Sequence, residues 1–307
     1  MPRRSRPVMR AHARLEVTAD RDRSGRVRTR ISRLRSDAPL VLRPTAAVEP
    51  SGRWNPHGAA HVALAAAAAG PIGGDHLRLD VEVAAGAALV VRSVAATLVL
   101  PGPHGRPSRT ETHLRVAPAG TLVWLPEPVI AAGRCDHHAT TRIALEPGAR
   151  LLAREELLLG RHGETPGTVH QRLRVTLAGR PLHDQEFAVG PDVPGWHGPA
   201  VTGGHRALGT LLVIAPDSPP DTRPNPTPTP TLTPTPTDAD ADADTAVMRL
   251  TPTATLLTVL ADDALTLRRH LDRGMTGPPA DCAIQRGSGP FEPTETLTSK
   301  GRVTSGN

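Results

Sequence analysis

The segment Cys135–His138 carries the side chains with the clearest transition-metal character in this sequence. It reads Cys-Asp-His-His, and on a strand Cys135 and His137 would share one face, roughly 7 Å apart by the strand rise. Thiolate and imidazole suit nickel or zinc, but two ligands make only a weak, transient site. The alternative is a solvated loop or sheet edge. Cys135 and His137 are therefore weaker candidates for contact with a metal ion.

Two adjacent carboxylates, Glu155 and Glu156, interrupt the apolar segment Leu151–Leu159. On a strand, neighbouring side chains point to opposite faces, so these carboxylates cannot act as a catalytic pair. Arg154 shares a face with Glu156 and is a ready ion partner. An unpaired buried charge is strongly unfavourable. We expect either structural ion pairs or a polar passage that holds water or contacts a partner.

Motifs of common enzyme classes are absent from the sequence. No G-x-x-x-x-G-K-[ST] stretch occurs and Lys300 is the only lysine, so the sequence argues against a P-loop NTPase. The glycine-rich segment Gly70–Asp75 precedes a strand instead of opening a helix, which favours a tight turn over a phosphate cradle. Neither G-x-S-x-G nor H-E-x-x-H is found. We therefore predict no catalytic residue and no tightly bound cofactor.

The positive charge is concentrated near the beginning of the chain. The net charge is +6, and the first 35 residues hold 12 arginines against three carboxylates, or +9, so the rest carries −3. A basic arm can contact phosphates or an acidic partner. Aromatic residues make up only 2% of the chain and offer no platform for stacking bases. We therefore expect no nucleic-acid binding.

Cysteine usage and hydropathy predict a soluble cytoplasmic protein. Cys135 and Cys282 are far apart in sequence, which fits a reducing compartment better than a disulfide framework. The basic N-terminus lacks the apolar region of a signal peptide. The longest apolar run, Val62–Gly70, is about half of the ~20 residues that a membrane span needs. No membrane contact is expected.

Alternation of apolar and polar residues predicts an all-β chain. The pattern is clearest in His76–Val83, Thr110–Val116 and Gln171–Leu177. A loose repeat of an alternating segment, a turn with glycine and an apolar segment recurs about every 30 residues. Its copies are Val81–Val91, Leu114–Trp124 and Ile143–Ala153. The repeat predicts stacked β-strands in a helical or barrel-like arrangement, with an ordinary β-sandwich as the alternative.

A single domain accounts for most of the chain. We predict a basic flexible arm at 1–14, a β domain at 15–275 and a disordered tail at 276–307. The domain is interrupted at 218–245, where Thr-Pro and Asp-Ala repeats have nothing to bury and predict a disordered insertion.

One persuasive helix follows the insertion, at Ala261–Leu271. Leu265, Leu267 and Leu271 would form its apolar side, and Gly274 suits its end. One strand and one helix after the insertion are too little for a second core, which favours the single domain.

Three ordered segments carry a family likeness, and together they span about 95 residues. The first is Gly70–Val83, continued by Gly86-Ala and by Ala95-Ala-Thr; the others are Leu122–Ile130 and Ala153–Glu164. They resemble, in order, the G-G-D-x-L…G-A…A-T, L-x-W-L-P-x-x-x-I and L-G-R…G-E segments of the UreD (UreH) family of urease accessory proteins.

The resemblance implies a non-enzymatic, β-rich scaffold. UreD-like proteins bind apo-urease and recruit UreF and the GTPase UreG, and the assembly delivers nickel, with a tunnel proposed within the UreD-like subunit. Nickel would then be bound transiently, and a homodimer within the complex is a further expectation. Carboxylates on mostly apolar strands are our candidates for lining such a path, from strand geometry and not from a family motif. They are Asp80, Glu82, Glu127, Glu155 and Glu156.

Two other classes of protein are alternatives to this one. A β-solenoid hydrolase acting on carbohydrate needs paired carboxylates and aromatic subsites. The chain has three Trp, two Phe and no Tyr, which argues against such subsites. A non-catalytic β-rich binding module is the other alternative.

Overall fold

The computed structural model describes residues 8–47, 54–216, 243–276 and 284–285. Most of these residues lie in β-strands, and a helix, α1 (Ala264–Thr276), follows the last long strand. In chain order the strands are β1 (Arg10–Arg21), β2 (Val27–Arg35), β3 (Leu40–Pro44), β4 (Ala60–Ala66), β5 (His76–Val83), β6 (Ala88–Ser93), β7 (Thr97–Val99), β8 (Ser108–Val116), β9 (Thr121–Leu125), β10 (Val129–Ala131), β11 (Asp136–Leu145), β12 (Arg150–Leu158), β13 (Thr168–Leu177), β14 (Arg180–Val189), β15 (Ala207–Ile214), β16 (Ala243–Thr251), β17 (Ala254–Ala261) and β18 (Ile284–Gln285).

The strands form two facing sheets. Sheet A has the order β14-β13-β11-β8-β5-β1-β2, and sheet B has the order β18-β16-β17-β15-β12-β9-β6-β4-β3. Strands β5, β8, β11 and β13 run parallel in sheet A, and β6, β9 and β12 run parallel in sheet B. The chain therefore alternates between the sheets as it winds, which confirms the all-β fold of stacked, solenoid-like coils in a single domain.

The predicted repeat is the unit of this winding. Each copy supplies one strand of sheet A, a turn and one strand of sheet B, so its two halves lie in different sheets. Equivalent residues of successive coils are in register, as in the ladder Leu89, Leu122 and Leu151, whose side chains have no exposed surface. Burying a leucine contributes about 2 kcal/mol, so the ladder stabilises the stacking of the coils.

Helix α1 packs on the outer face of sheet B. Leu267 and Leu271 are fully buried there, in a cluster with Leu211 of β15 and Leu257 of β17. Leu265, predicted on the same side, is 69% exposed, because two residues advance about 200° around a helix.

Gly274 does not end the helix as predicted, since α1 continues to Thr276. A Cβ atom at Gly274 would lie 2.5 Å from Leu257 Cδ2, so this glycine permits close approach of the helix to sheet B.

The predicted segment boundaries differ from the observed elements at several ends. Strand β1 begins at Arg10, inside the predicted arm 1–14, because Ala11 and Ala13 are buried against the core. Strand β16 begins at Ala243, inside the predicted insertion 218–245. The remaining residues of the predicted arm, except Val8 and Met9, lie outside the described residues. The same holds for the rest of the predicted insertion and for nearly all of the predicted tail.

Candidate functional site

A cavity of about 420 Å³ lies between the two sheets. Its walls are mainly apolar, and strands of both sheets contribute to them. Polar side chains of three sheet A strands face it, namely Thr110, Thr112, His137, Thr141 and Gln171. Glu155 faces it from strand β12 of sheet B. The cavity therefore combines an apolar wall with a small convergent set of polar groups, which is typical of binding sites.

Glu155 holds a carboxylate in this cavity without a cationic partner. Thr141 Oγ1 donates a hydrogen bond to Glu155 Oε1 at 2.5 Å, and Gln171 Nε2 donates one to Oε2 at 2.8 Å. Among the described residues no ion pair to Glu155 is found. Burial raises the pKa of Glu155, and the hydrogen bonds from Thr141 and Gln171 oppose that shift. The side chain lies deep in the fold yet keeps some accessible surface, because it faces the cavity.

A second cavity, of about 210 Å³, adjoins the same carboxylate. Strands β14, β15 and β17 line it, with residues such as Phe187, Thr210 and Thr258. Glu155 and Gln171 line both cavities. The two cavities therefore form a candidate passage between the sheets, and Glu155 stands where they meet.

Glu156 points to the opposite face of β12, as predicted, and lies in an ion network under α1. Arg154 Nε lies 2.8 Å from Glu156 Oε1, without hydrogen-bond alignment, and Arg268 Nε lies 2.8 Å from the same oxygen. Arg268 also pairs with Glu127 at 3.1 Å, and Arg154 pairs with Asp272 at 2.8 Å. Burial raises the pKa of Glu156, and the two guanidinium groups oppose that shift. The network joins α1 to sheet B.

The predicted path residues Glu127 and Glu156 also line the first cavity, but both are paired with arginine. A carboxylate held by a guanidinium has little negative charge left to attract a metal cation. The structural ion pairs anticipated for this strand are therefore found at Glu156. The polar passage stays a prediction, and its candidate is Glu155, which faces the cavity.

Asp80 and Glu82 do not line either cavity, contrary to the path assigned to them. The alternation of β5 turns them to the outer face of sheet A, whereas Leu77 and Leu79 face the first cavity. Asp80 contacts His12 Nε2 at 2.7 Å and Arg78 Nε at 2.9 Å. Burial would raise the pKa of Asp80, but these two hydrogen bonds lower it. Glu82 is exposed and pairs with Arg115 at 3.2 Å.

The interpretation of Cys135 and His137 as part of a solvated loop or edge is wrong. Each is only 2% exposed. His137 lies on β11, inside sheet A between β8 and β13, and Cys135, directly before β11, packs in an apolar cluster with Val169. Burial raises the pKa of the Cys135 thiol to about 11, and the thiol lies outside the cavity lining. His137 does line the cavity; burial lowers its pKa to about 4, and its Nδ1 lies 2.9 Å from Ser108 Oγ.

Three further residues of the site were not identified from the sequence: Thr141, Gln171 and Arg268. Each is separated from its glutamate by 14 to 112 residues, so no local pattern connects them. The alternation of β11 and β13 does place Thr141 and Gln171 on the inner face, and this signal could have found them. Within the described residues, no cluster of three or more His, Cys, Asp or Glu side chains is arranged to hold a metal ion. No bilayer-spanning helix is found there either.

The geometry defines a class of protein: a two-sheet scaffold of parallel β coils with a cavity between the sheets, in which Glu155 has no cationic partner among the described residues. A family model described as UreD urease accessory protein matches residues 9–277. This chain belongs to the UreD family of urease accessory proteins, as its motifs indicated.

Curated relatives agree over nearly the whole chain. The urease accessory protein UreD of Streptomyces avermitilis is 44% identical over 269 residues, covering 87% of this chain and 97% of the relative. That of Frankia alni is 40% identical over 300 residues, covering 88% and 93%. That of Streptomyces coelicolor is 41% identical over 268 residues, covering 86% and 94%.

Proposed function

We propose that this chain is a non-enzymatic cytoplasmic scaffold that binds apo-urease together with UreF and UreG and helps to insert nickel into the urease active site. Family membership supports the urease-related role. The sequence contains no P-loop motif, which is consistent with this role because nucleotide hydrolysis would belong to UreG, a separate chain. A homodimer within the complex is part of the same proposal.

The observation that carries the nickel-related part is the position of Glu155. Its carboxylate faces both inter-sheet cavities and accepts hydrogen bonds, and no cationic side chain of the described residues pairs with it. A divalent cation is the natural counter-charge for such a group, and oxygen donors alone bind nickel weakly. Weak binding suits a transfer step, because the metal must also leave.

Proton release would accompany entry of the metal. Burial raises the pKa of Glu155 and therefore favours its protonated form when the passage is empty. A carboxyl group must lose its proton to bind a metal, so the proton leaves as the cation arrives. Because one proton leaves as the divalent cation enters, the net charge of the passage rises by one unit instead of two. The smaller change lowers the free-energy cost of moving the ion through an apolar region.

His137 is the second contact that we propose for the passing ion. It lines the same cavity, and its lowered pKa keeps the imidazole neutral near neutral pH, as metal binding requires. Asp80, Glu82 and Cys135 are left out of the proposed path because of their positions, and Glu127 and Glu156 because of their arginine partners.

The proposal is tested by deleting the gene in cells that express urease and the other accessory proteins. We expect urease purified from the deletion strain to lack most of its nickel and activity. Restoring the intact chain should restore both, and the chain should co-purify with the urease complex. Fully loaded urease in the deletion strain, with no association of the chain, would overturn the proposed function.

A further inference from the structure

The outer face of sheet A is almost entirely charged or polar. Along β5, β8, β11 and β13 the residues that point away from the core alternate regularly with buried aliphatic residues. No helix covers this face in the described part of the chain, whereas α1 covers part of sheet B. The face therefore presents a broad, rigid, solvated surface whose side chains are fixed in register by parallel strands.

Arginine exceeds carboxylate on this face, and several of the arginines have no acidic partner. Most carboxylates there are already paired, as in Glu82 with Arg115, Glu16 with Arg33 and Asp184 with Arg172. Five other exposed outward-facing arginines, on β1, β2, β8 and β11, have no carboxylate partner among the described residues. These unpaired arginines are Arg10, Arg30, Arg35, Arg109 and Arg142.

Two guanidinium groups, of Arg142 and Arg78, share His113 in the middle of the face. Asp80 Oδ1 and Glu111 Oε2 also lie near this ring, 3.6 Å from Nδ1 and 3.9 Å from Nε2. Arg142 Nη1 lies 3.0 Å from His113 Nε2, and Arg78 Nη2 lies 3.1 Å from His113 Nδ1. A neutral imidazole accepts only one hydrogen bond through a ring nitrogen, so it cannot satisfy both guanidinium groups. An added carboxylate would supply the missing acceptor beside Arg142.

The chemistry of the face favours an acidic protein over other anionic partners. Carboxylates such as Glu82 and Glu111 are interspersed among the arginines and would repel a continuous phosphate backbone, whereas separate acidic side chains can fit between them. The outward positions of β5, β8, β11 and β13 hold no Trp, Phe or Tyr on which bases could stack. They also hold no large apolar side chain that could enter a bilayer.

We propose that the outer face of sheet A, centred on Arg109 and Arg142, is a docking surface for a protein segment rich in Asp and Glu. The unpaired guanidinium groups form salt bridges with the acidic side chains of the segment. The arginine–carboxylate pairs between them fix the position of the segment along the strands. Charge complementarity of this kind sets the association rate and the specificity of a complex more than its raw affinity. The proposal does not depend on the nickel path, which lies on the other side of the strands.

The test uses the full chain and a fluorescently labelled polyglutamate peptide, with binding followed by anisotropy at low salt. We expect Arg109→Ser/Arg142→Ser to weaken peptide binding by about tenfold, as the loss of two charge pairs at an exposed interface implies. Arg43→Ser/Arg269→Ser removes the same charge from β3 and α1, off this face, and should retain nearly all of the binding. Arg109→Lys/Arg142→Lys should also retain most of it.

Thermal unfolding followed by circular dichroism checks that each variant is folded. If the serine variant is unfolded, the lysine variant, which keeps both positive charges, still tests whether charge at these positions is enough for binding. Single-stranded DNA of equal charge and phosphatidylserine vesicles are run in parallel. The proposal is overturned if the wild-type chain does not bind the peptide or if the two serine variants bind it equally. Tighter binding of the DNA or of the vesicles than of the peptide would also overturn it, in favour of that partner.

Discussion

Glu155 and Glu156 are neighbours in sequence but belong to two different regions of the molecule. Glu155 faces the passage between the sheets and is held by two neutral donors, Thr141 and Gln171. Glu156 faces α1 and is held by two guanidinium groups. Both carboxylates are removed from bulk water, so the difference lies in the compensating charge. A compensated carboxylate holds structure together, whereas an uncompensated one beside a cavity is available to a cation.

The contrast gives opposite expectations for stability. Breaking a buried ion pair leaves an unpaired charge and destabilises the fold. Removing a buried carboxylate that has no counter-charge relieves a desolvation penalty instead. The variants below test this difference, beginning with the largest expected effect.

Glu156→Ala should destabilise the protein by about 3 kcal/mol or more, because it removes one of the two carboxylates that compensate the buried Arg154. The side chain of Arg154 is only 3% exposed and cannot reach water. Urea unfolding followed by circular dichroism measures the change. Glu82→Ala is the control, since its exposed pair with Arg115 contributes at most about 1 kcal/mol. A similar, small effect of both variants would remove the distinction between the two regions.

Asp263→Ala should cost about 1 kcal/mol through loss of the N-cap of α1, the helix that carries Arg268. Asp263 Oδ1 accepts hydrogen bonds from the backbone N–H groups of Leu265 at 2.8 Å and Thr266 at 2.9 Å. The same unfolding experiment applies, with Asp263→Asn as the variant that retains the cap. If the alanine and asparagine variants are equally stable, the N-cap of α1 does not help to hold the helix that carries Arg268 to its partner Glu156.

Glu155→Gln should stabilise the protein at neutral pH, because the amide needs no counter-charge in the cavity. Burial raises the pKa of Glu155 above its ordinary value of 4.5, so the wild-type carboxyl contributes stability below that value and loses the contribution as the pH rises. The amide does not titrate. The stability difference between variant and wild type should therefore be near zero below pH 4.5 and grow at higher pH. A variant less stable than the wild type at neutral pH would contradict the claim that Glu155 is an uncompensated carboxylate.

Much of this contrast could be predicted from strand periodicity. The alternation of Leu151–Leu159 correctly placed Glu155 and Glu156 on opposite faces, and it correctly paired Arg154 with Glu156. Alternation is a local property, and it also identified β5, β8 and β13 and the coils that contain them.

Other features depend on contacts between distant parts of the chain. Arg268 reaches Glu156 across 112 residues only because α1 packs on sheet B, and the sequence does not fix that placement. The burial of Cys135 and His137 depends on β11 being an inner strand, which periodicity cannot distinguish from an edge strand. The position of Asp80 and Glu82 was misjudged for a related reason, since alternation separates the faces of a strand without showing which one meets a cavity.

The most direct test of the central claim is the nickel content of urease matured in cells whose only copy of this chain carries Glu155→Gln. The account predicts that this variant still co-purifies with the urease complex but that the urease contains much less nickel than with the wild-type chain. Glu82→Gln, the same change on the outer face of sheet A, should leave nickel loading intact. Normal nickel content with Glu155→Gln would contradict the claim that nickel passes this carboxylate.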